Sequence, residues 1–227
     1  MRRTGRLPLE ELAPHLLPVP PHAAPLRWPD VFGNDHPVEI EVGFGKGLFL
    51  ITAAQACPGV NFLGVEILRK YQLFTATRLA KRGLANVRLA CADARTFLRD
   101  YVGPAAVQAV HAYFPDPWWK KRHHKRRVFT PDFARQAERI LRPAGLLHVV
   151  TDVEDYFQLI TQTVAENTRL RPVPPPAPSE AAHDLDYLTN FERKFRKEGR
   201  PIFRAAYERA EPSSGQRVAS TPLSGPG

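Results

Sequence analysis

Apolar and polar positions along this chain change period repeatedly, and the changes mark out alternating strands and helices. Val38–Val42, Asn61–Glu66, Val87–Cys91 and Val107–Tyr113 are short, largely apolar runs that read as strands. A helix over Lys46–Ala56 follows the first of them. Leu68–Leu79 places Leu68, Leu73, Ala76 and Leu79–Ala80 near helical spacing, with Gly83 as its C-terminal cap. Thr130 is an N-cap before Pro131 and Asp132, and the helix it opens turns Phe133, Ala137, Ile140 and Leu141 inward. Pro143-Ala144-Gly145 ends that helix, Leu146–Val150 reads as a fifth strand, and a helix near Val153–Glu166 follows. Pro201–Tyr207 has the look of a last strand that closes the sheet. Strands and helices in this rhythm predict an α/β fold with right-handed crossovers and a mostly parallel sheet covered on both faces.

Outside that rhythm the chain changes character. Residues 1–30 are basic and rich in proline and read as an arm, residues 31–211 as one folded domain, and the Ser/Gly/Pro-rich residues 212–227 as a disordered tail. Pro172 to Pro178 holds five prolines and suits a surface loop or stiff connector. At 227 residues and 43% hydrophobic, the chain can bury one full core. No apolar run is long enough to cross a bilayer, and no secretory leader follows Met1, which points to the cytoplasm. Cys57 and Cys91 lack metal or redox spacing and read as buried, reduced thiols. No metal site is expected. A net charge of +9 favours a polyanionic partner.

Two stretches carry the chemistry. In Glu39-Ile40-Glu41-Val42-Gly43-Phe44-Gly45-Lys46-Gly47 a glycine-rich turn joins a strand to a helix, so backbone N–H groups can meet a ligand closely. Glu66 ends the second strand 23 residues after Gly43, where a carboxylate can accept from ribose hydroxyls, and Asp93 follows the third strand, where one can meet an adenine edge. Leu48 stands where a dinucleotide fingerprint needs its third glycine, and Glu41 would face a pyrophosphate with the wrong charge. S-Adenosylmethionine has no phosphate and carries an ammonium and a sulfonium, which these acids suit. The plainer reading makes the acids solvating residues at strand ends.

The second stretch is Phe114-Pro115-Asp116-Pro117-Trp118-Trp119, followed by six lysines and arginines among the eight residues Lys120 to Arg127. Flanking prolines deny Asp116 a helix or a central strand. A rigid acid with indoles and cations beside it can hold a base by its edge while the cations track phosphates. An exposed basic loop is the alternative, and Trp118 could equally stack on a base or pack under the loop. Arg193 to Arg209 adds seven cations against Glu198 and Glu208. His111 and His148, on strands, read as satisfied core residues.

Together these motifs resemble the bacterial tRNA (guanine-N7-)-methyltransferases, a branch of the class I S-adenosylmethionine-dependent methyltransferases. The resemblance runs from about Arg27 to Arg209. It is carried by Glu41-Val42-Gly43-Phe44-Gly45, Phe114-Pro115-Asp116-Pro117-Trp118 with its basic run, Thr151-Asp152, and Thr189-Asn190-Phe191-Glu192. It implies a Rossmann-like class I methyltransferase fold with a C-terminal antiparallel strand, and methyl transfer to guanosine N7 in the tRNA variable loop. It further implies that Glu41, Gly43, Gly45, Glu66, Asp93 and Asp116 line the cofactor pocket, with Asp116 catalytic. Lys120, Asp152, Thr189, Asn190, Phe191 and Glu192 would contact the RNA. Trp119 stands where some relatives carry a histidine. Competing readings are methylation of an exocyclic amine, an RNA-binding module without catalysis and, weakest, a nicotinamide dehydrogenase.

Overall fold

The computed structural model describes residues 7–118, 122, 127–177 and 189–211. The elements in chain order begin with helix α1 (Leu9–Leu12), a single 3-10 turn (Ala13–His15), strand β1 (Leu16–Leu17) and helix α2 (Trp28–Phe32). Then come β2 (Val38–Val42), α3 (Leu48–Ala56), β3 (Asn61–Glu66), α4 (Arg69–Ala80), β4 (Val87–Cys91), α5 (Ala94–Tyr101) and β5 (Val107–Tyr113). The chain continues with α6 (Pro131–Ile140), β6 (Leu141–Thr151), α7 (Glu154–Asn167), β7 (Arg171–Val173), α8 (Asn190–Lys197) and β8 (Phe203–Glu208). One eight-stranded sheet runs in the order β1-β4-β3-β2-β5-β6-β8-β7. Its pairings are parallel from β1 to β6, and β8 lies antiparallel to both β6 and β7. The expected α/β class and the antiparallel C-terminal strand are both present.

Strand order reverses between β2 and β5. From β2 the chain winds outward through β3 and β4, then returns to place β5 on the other side of β2. Loops leaving two such strands diverge to opposite faces, and the crevice between them is where doubly wound sheets bind ligands. Here the two loops are the glycine turn and the Pro-Asp-Pro turn. Two apolar layers hold the sheet: Phe49, Leu50, Leu73 and Leu79 of α3 and α4 on one face, and Phe97, Phe133, Ile140 and Ile160 of α5, α6 and α7 on the other. Among the described residues no helix is long and apolar enough to cross a membrane.

The structure corrects several expectations. Within the expected arm, Leu9–Leu17 folds onto the domain: Leu12 is fully buried and β1 pairs with Leu89 and Ala90 along the sheet edge. Tyr101 Oη donates to the Pro20 carbonyl and Trp28 Nε1 to that of Ala106, strapping the stretch down. The prolines obscured an apolar series, Leu12, Leu16 and Leu17, in which Leu12 is buried and Leu16 and Leu17 cover an otherwise open edge. Pro143-Ala144-Gly145 does not separate helix from strand. It bulges from the long strand β6, whose register shifts between Val107 and Ala109 of β5. A Cβ on Gly145 would lie 2.7 Å from the Arg142 carbonyl oxygen, so only glycine fits that bulge. The proline-rich connector opens as β7, where Pro172 is tolerated on the outer edge of the sheet. Cys57 is exposed rather than buried. The tail lies outside the described residues.

Candidate active site

Glu41, Glu66, Asp93 and Asp116 stand at or just beyond the C-terminal ends of β2, β3, β4 and β5, four consecutive strands of the sheet. Adjacent strands lie about 4.8 Å apart, so the four acids form a row along one edge.

Glu66 braces the glycine turn. Its Oε2 accepts from Gly45 N at 3.1 Å and its Oε1 from Leu68 N at 3.0 Å. Gly43, Gly45 and Gly47 hold φ of 75°, 50° and 66°. At Gly47, the N-cap of α3, a Cβ would lie 2.2 Å from the Thr75 methyl, so the helix start approaches α4 too closely for any side chain. Glu41 is 3% exposed and its Oε2 is buried with no hydrogen-bond partner among the described residues. Burial first, and the nearby Glu66 charge second, push its carboxyl up to about 8. An unpartnered carboxyl of this kind is costly unless a donor or cation arrives to meet it.

Asp93 has local work. It caps α5 by accepting from Arg95 N at 2.9 Å and pairs with the Arg95 guanidinium at 2.8 Å, and that hydrogen bond holds its carboxyl below the usual range. Beneath the row, Tyr113 Oη meets His111 Nδ1 at 2.7 Å, and His111 Nε2 meets Glu39 at 2.8 Å. His111 is thus the satisfied core residue expected. His148 stacks on it with ring centroids 5.0 Å apart and is lowered to about 4 by burial and by His111.

The Pro-Asp-Pro turn is held from both ends. Phe114 and Trp118 have φ of 49° and 43°, a left-handed backbone that persists in non-glycine residues only when surroundings enforce it. Phe114 N donates to the Val150 carbonyl at 2.7 Å, and Arg127 Nε donates to that of Pro117 at 2.6 Å. The Asp116 side chain is exposed between these anchors.

Helix α8 covers the turn, with Phe191 and Phe195 packed on Phe114 at 6.1 and 5.5 Å. The Thr189 hydroxyl accepts from Glu192 N at 3.0 Å and caps this helix. Glu192 is buried and pairs with Arg204 and Arg196, while Asp152 pairs with Arg200. Of the residues expected to touch RNA, Thr189 and Glu192 therefore hold α8 in place and Asp152 holds Arg200 just beyond its end, whereas Phe191 is 53% exposed. Asn190 opens the helix, and Lys120 lies outside the described residues, as do Trp119, Lys121, Lys125 and Arg126. Sequence reasoning missed α5 and α8. Their signals are nonetheless in the chain: Ala94, Phe97, Leu98 and Tyr101 at helical spacing, and a Thr-x-x-Glu capping pattern at Thr189. Among the described residues no group of three or more His, Cys, Asp or Glu side chains could hold a metal ion.

Comparison with known proteins finds relatives by sequence and by fold. Residues 35–205 match the family described as "Putative methyltransferase". A tRNA (guanine-N(7)-)-methyltransferase of Rhodopirellula baltica is 46% identical over 79% of this chain and 68% of its own length. A protein of the same name from Haemophilus influenzae is 34% identical over 79% of this chain and 73% of its own. Among solved structures, the 16S rRNA methyltransferase KamB shares the fold, with a TM-score of 0.58 at 16% identity over 81% of this chain and 93% of that one.

Proposed function

This chain belongs to the tRNA (guanine-N7-)-methyltransferase family, and from that premise we propose that it transfers a methyl group from S-adenosylmethionine to N7 of a guanosine in tRNA. The observation that carries this reading is the row of acids on consecutive strand ends, with the orphaned Glu41 carboxyl beside the glycine turn. The residues fit the donor: a buried, unpartnered acid suits a ligand bearing an ammonium and a sulfonium and repels a pyrophosphate. When bound, S-adenosylmethionine supplies a methyl group activated by its positive sulfur.

Glu66 accepts from the ribose hydroxyls with lone pairs left over from Gly45 and Leu68, Gly43 and Gly45 let the ligand approach the backbone, and Asp93 presents an edge for adenine. Asp116 accepts from guanine N1–H and the exocyclic amine. Guanine N7 holds its lone pair in the ring plane, so no base is needed and the protein's task is alignment. Positive charge moves onto the purine during transfer, its N–H donors become more acidic, and the bond to Asp116 strengthens as the barrier is crossed. Adenine turns an acceptor toward the same carboxylate and is refused. Phe191, exposed beside the turn, offers a face to the RNA. The target guanosine lies in the variable loop and the enzyme works in the cytoplasm on tRNA.

A transcript with 7-deazaguanosine in place of guanosine keeps both donors at the Watson–Crick edge but has no N7 lone pair. It should bind with unchanged affinity and take no methyl group; methylation of that transcript would point to another acceptor atom. Glu66→Ala should weaken cofactor binding in calorimetry by about 1.5–3 kcal/mol, the range for a hydrogen bond to a charged group. Wild-type affinity in that variant would remove Glu66 from the pocket.

A further inference from the structure

The solvent side of α4 carries Lys70, Phe74 and Arg78 at four-residue spacing, with Lys81 and Arg82 just beyond. From Arg69 to Arg82 there are five cations and no acid, whereas α7 carries Glu154, Asp155 and Glu166 and no cation. Phe74 is 45% exposed in the middle of the stripe, with the Arg78 guanidinium 5.9 Å from its ring centre. Helix stability does not explain this pattern. Arg69 and Lys70 sit in the first turn, where the helix dipole disfavours cations, and Arg78 and Arg82 repel one turn apart. Arg78 is held beside the cofactor loop by donating to the Lys46 carbonyl. Burial first, then Arg82 and Arg193 of α8, lower its affinity for a proton, so like charges from two helices converge there.

Resting on the tRNA reading above, we propose that this stripe is a second docking surface for the tRNA, with Lys70, Arg78 and Arg82 on backbone phosphates and Phe74 against a base or ribose. A polyanion relieves the repulsion that the stripe otherwise maintains, and an exposed ring among cations is the usual arrangement for stacking beside a phosphate track. The RNA would then span the crevice, gripped on α4 on one side of the glycine turn and by α8 and the Pro-Asp-Pro turn on the other.

The test is the double variant Lys70→Ser, Arg82→Ser, since both side chains are exposed. With unmodified tRNA, the log K versus log salt slope should flatten by about 2, near 0.9 for each phosphate that is no longer neutralised. Dissociation should rise roughly tenfold at physiological salt, consistent with two fewer sites of counterion release. Cofactor affinity and melting temperature should hold, and Lys70→Arg, Arg82→Lys should keep the wild-type slope. An unchanged slope in the Ser variant would make the stripe an ordinary solvated face. Loss of cofactor affinity in step with tRNA affinity would mean damage to the glycine turn and would equally overturn the proposal. A wild-type protein that neither binds nor methylates tRNA would instead overturn the reading on which it rests.

Discussion

Asp116→Asn should lower the turnover of methyl transfer by on the order of 100-fold or more, the scale on which loss of one preorganised electrostatic partner is felt. The substitution keeps size and shape and presents an amide that can turn a donor toward the guanine donors. Three features make the position unforgiving. Pro115 and Pro117 restrict the backbone, Phe114 and Trp118 are held in the left-handed region, and hydrogen bonds at Val150 and Pro117 fasten both ends. The turn cannot shift to bring a substitute acceptor into register. Folding should hardly change, because the Asp116 side chain is exposed. Single-turnover assays at saturating cofactor give the number; a wild-type rate in the Asn variant would remove Asp116 from the chemistry.

Cofactor affinity should rise with pH by up to about tenfold per unit between pH 6 and 7.5, since one pKa unit corresponds to 1.36 kcal/mol. The cause is Glu41, raised to about 8 by burial first and Glu66 second. An acid raised on folding keeps a proton that the unfolded chain releases near pH 4.5. Glu41's contribution to the stability of the cofactor-free protein is therefore fully present below about pH 4.5 and is lost as pH rises toward about 8. A cationic ligand favours the ionised carboxylate, so its binding must expel that proton and tightens over the same interval. Calorimetry in buffers of differing ionisation heat should detect proton release, and Glu41→Gln should abolish both the release and the pH slope. A flat profile in the wild type would contradict the assignment.

The central strands are legible in the sequence because each is a short apolar run ended by a turn residue or an acid, and their ends alone place Glu41, Glu66, Asp93 and Asp116 in one row. Elements whose reason for existing is elsewhere in the fold are not legible in this way. Leu16 and Leu17 make sense only against the β4 edge they cover and Leu12 only against the core beside α4, and Pro172 joins a strand only because that strand is outermost. The same holds within the site. Thr189 and Glu192 belong to a motif that resemblance assigns to RNA contact, yet Glu192 turns inward because Arg204, on β8, waits there. The stripe on α4 is hard to see in the sequence because its cations are spread over helical turns rather than gathered in a run.

The most direct test of methyl transfer to guanosine N7 is nucleoside analysis of unmodified tRNA after incubation with the protein and methyl-labelled S-adenosylmethionine. The label should elute as 7-methylguanosine, cationic and alkali-labile, at close to one per tRNA molecule. Label in a neutral, alkali-stable nucleoside methylated on an exocyclic amine, or no label at all, would contradict that transfer.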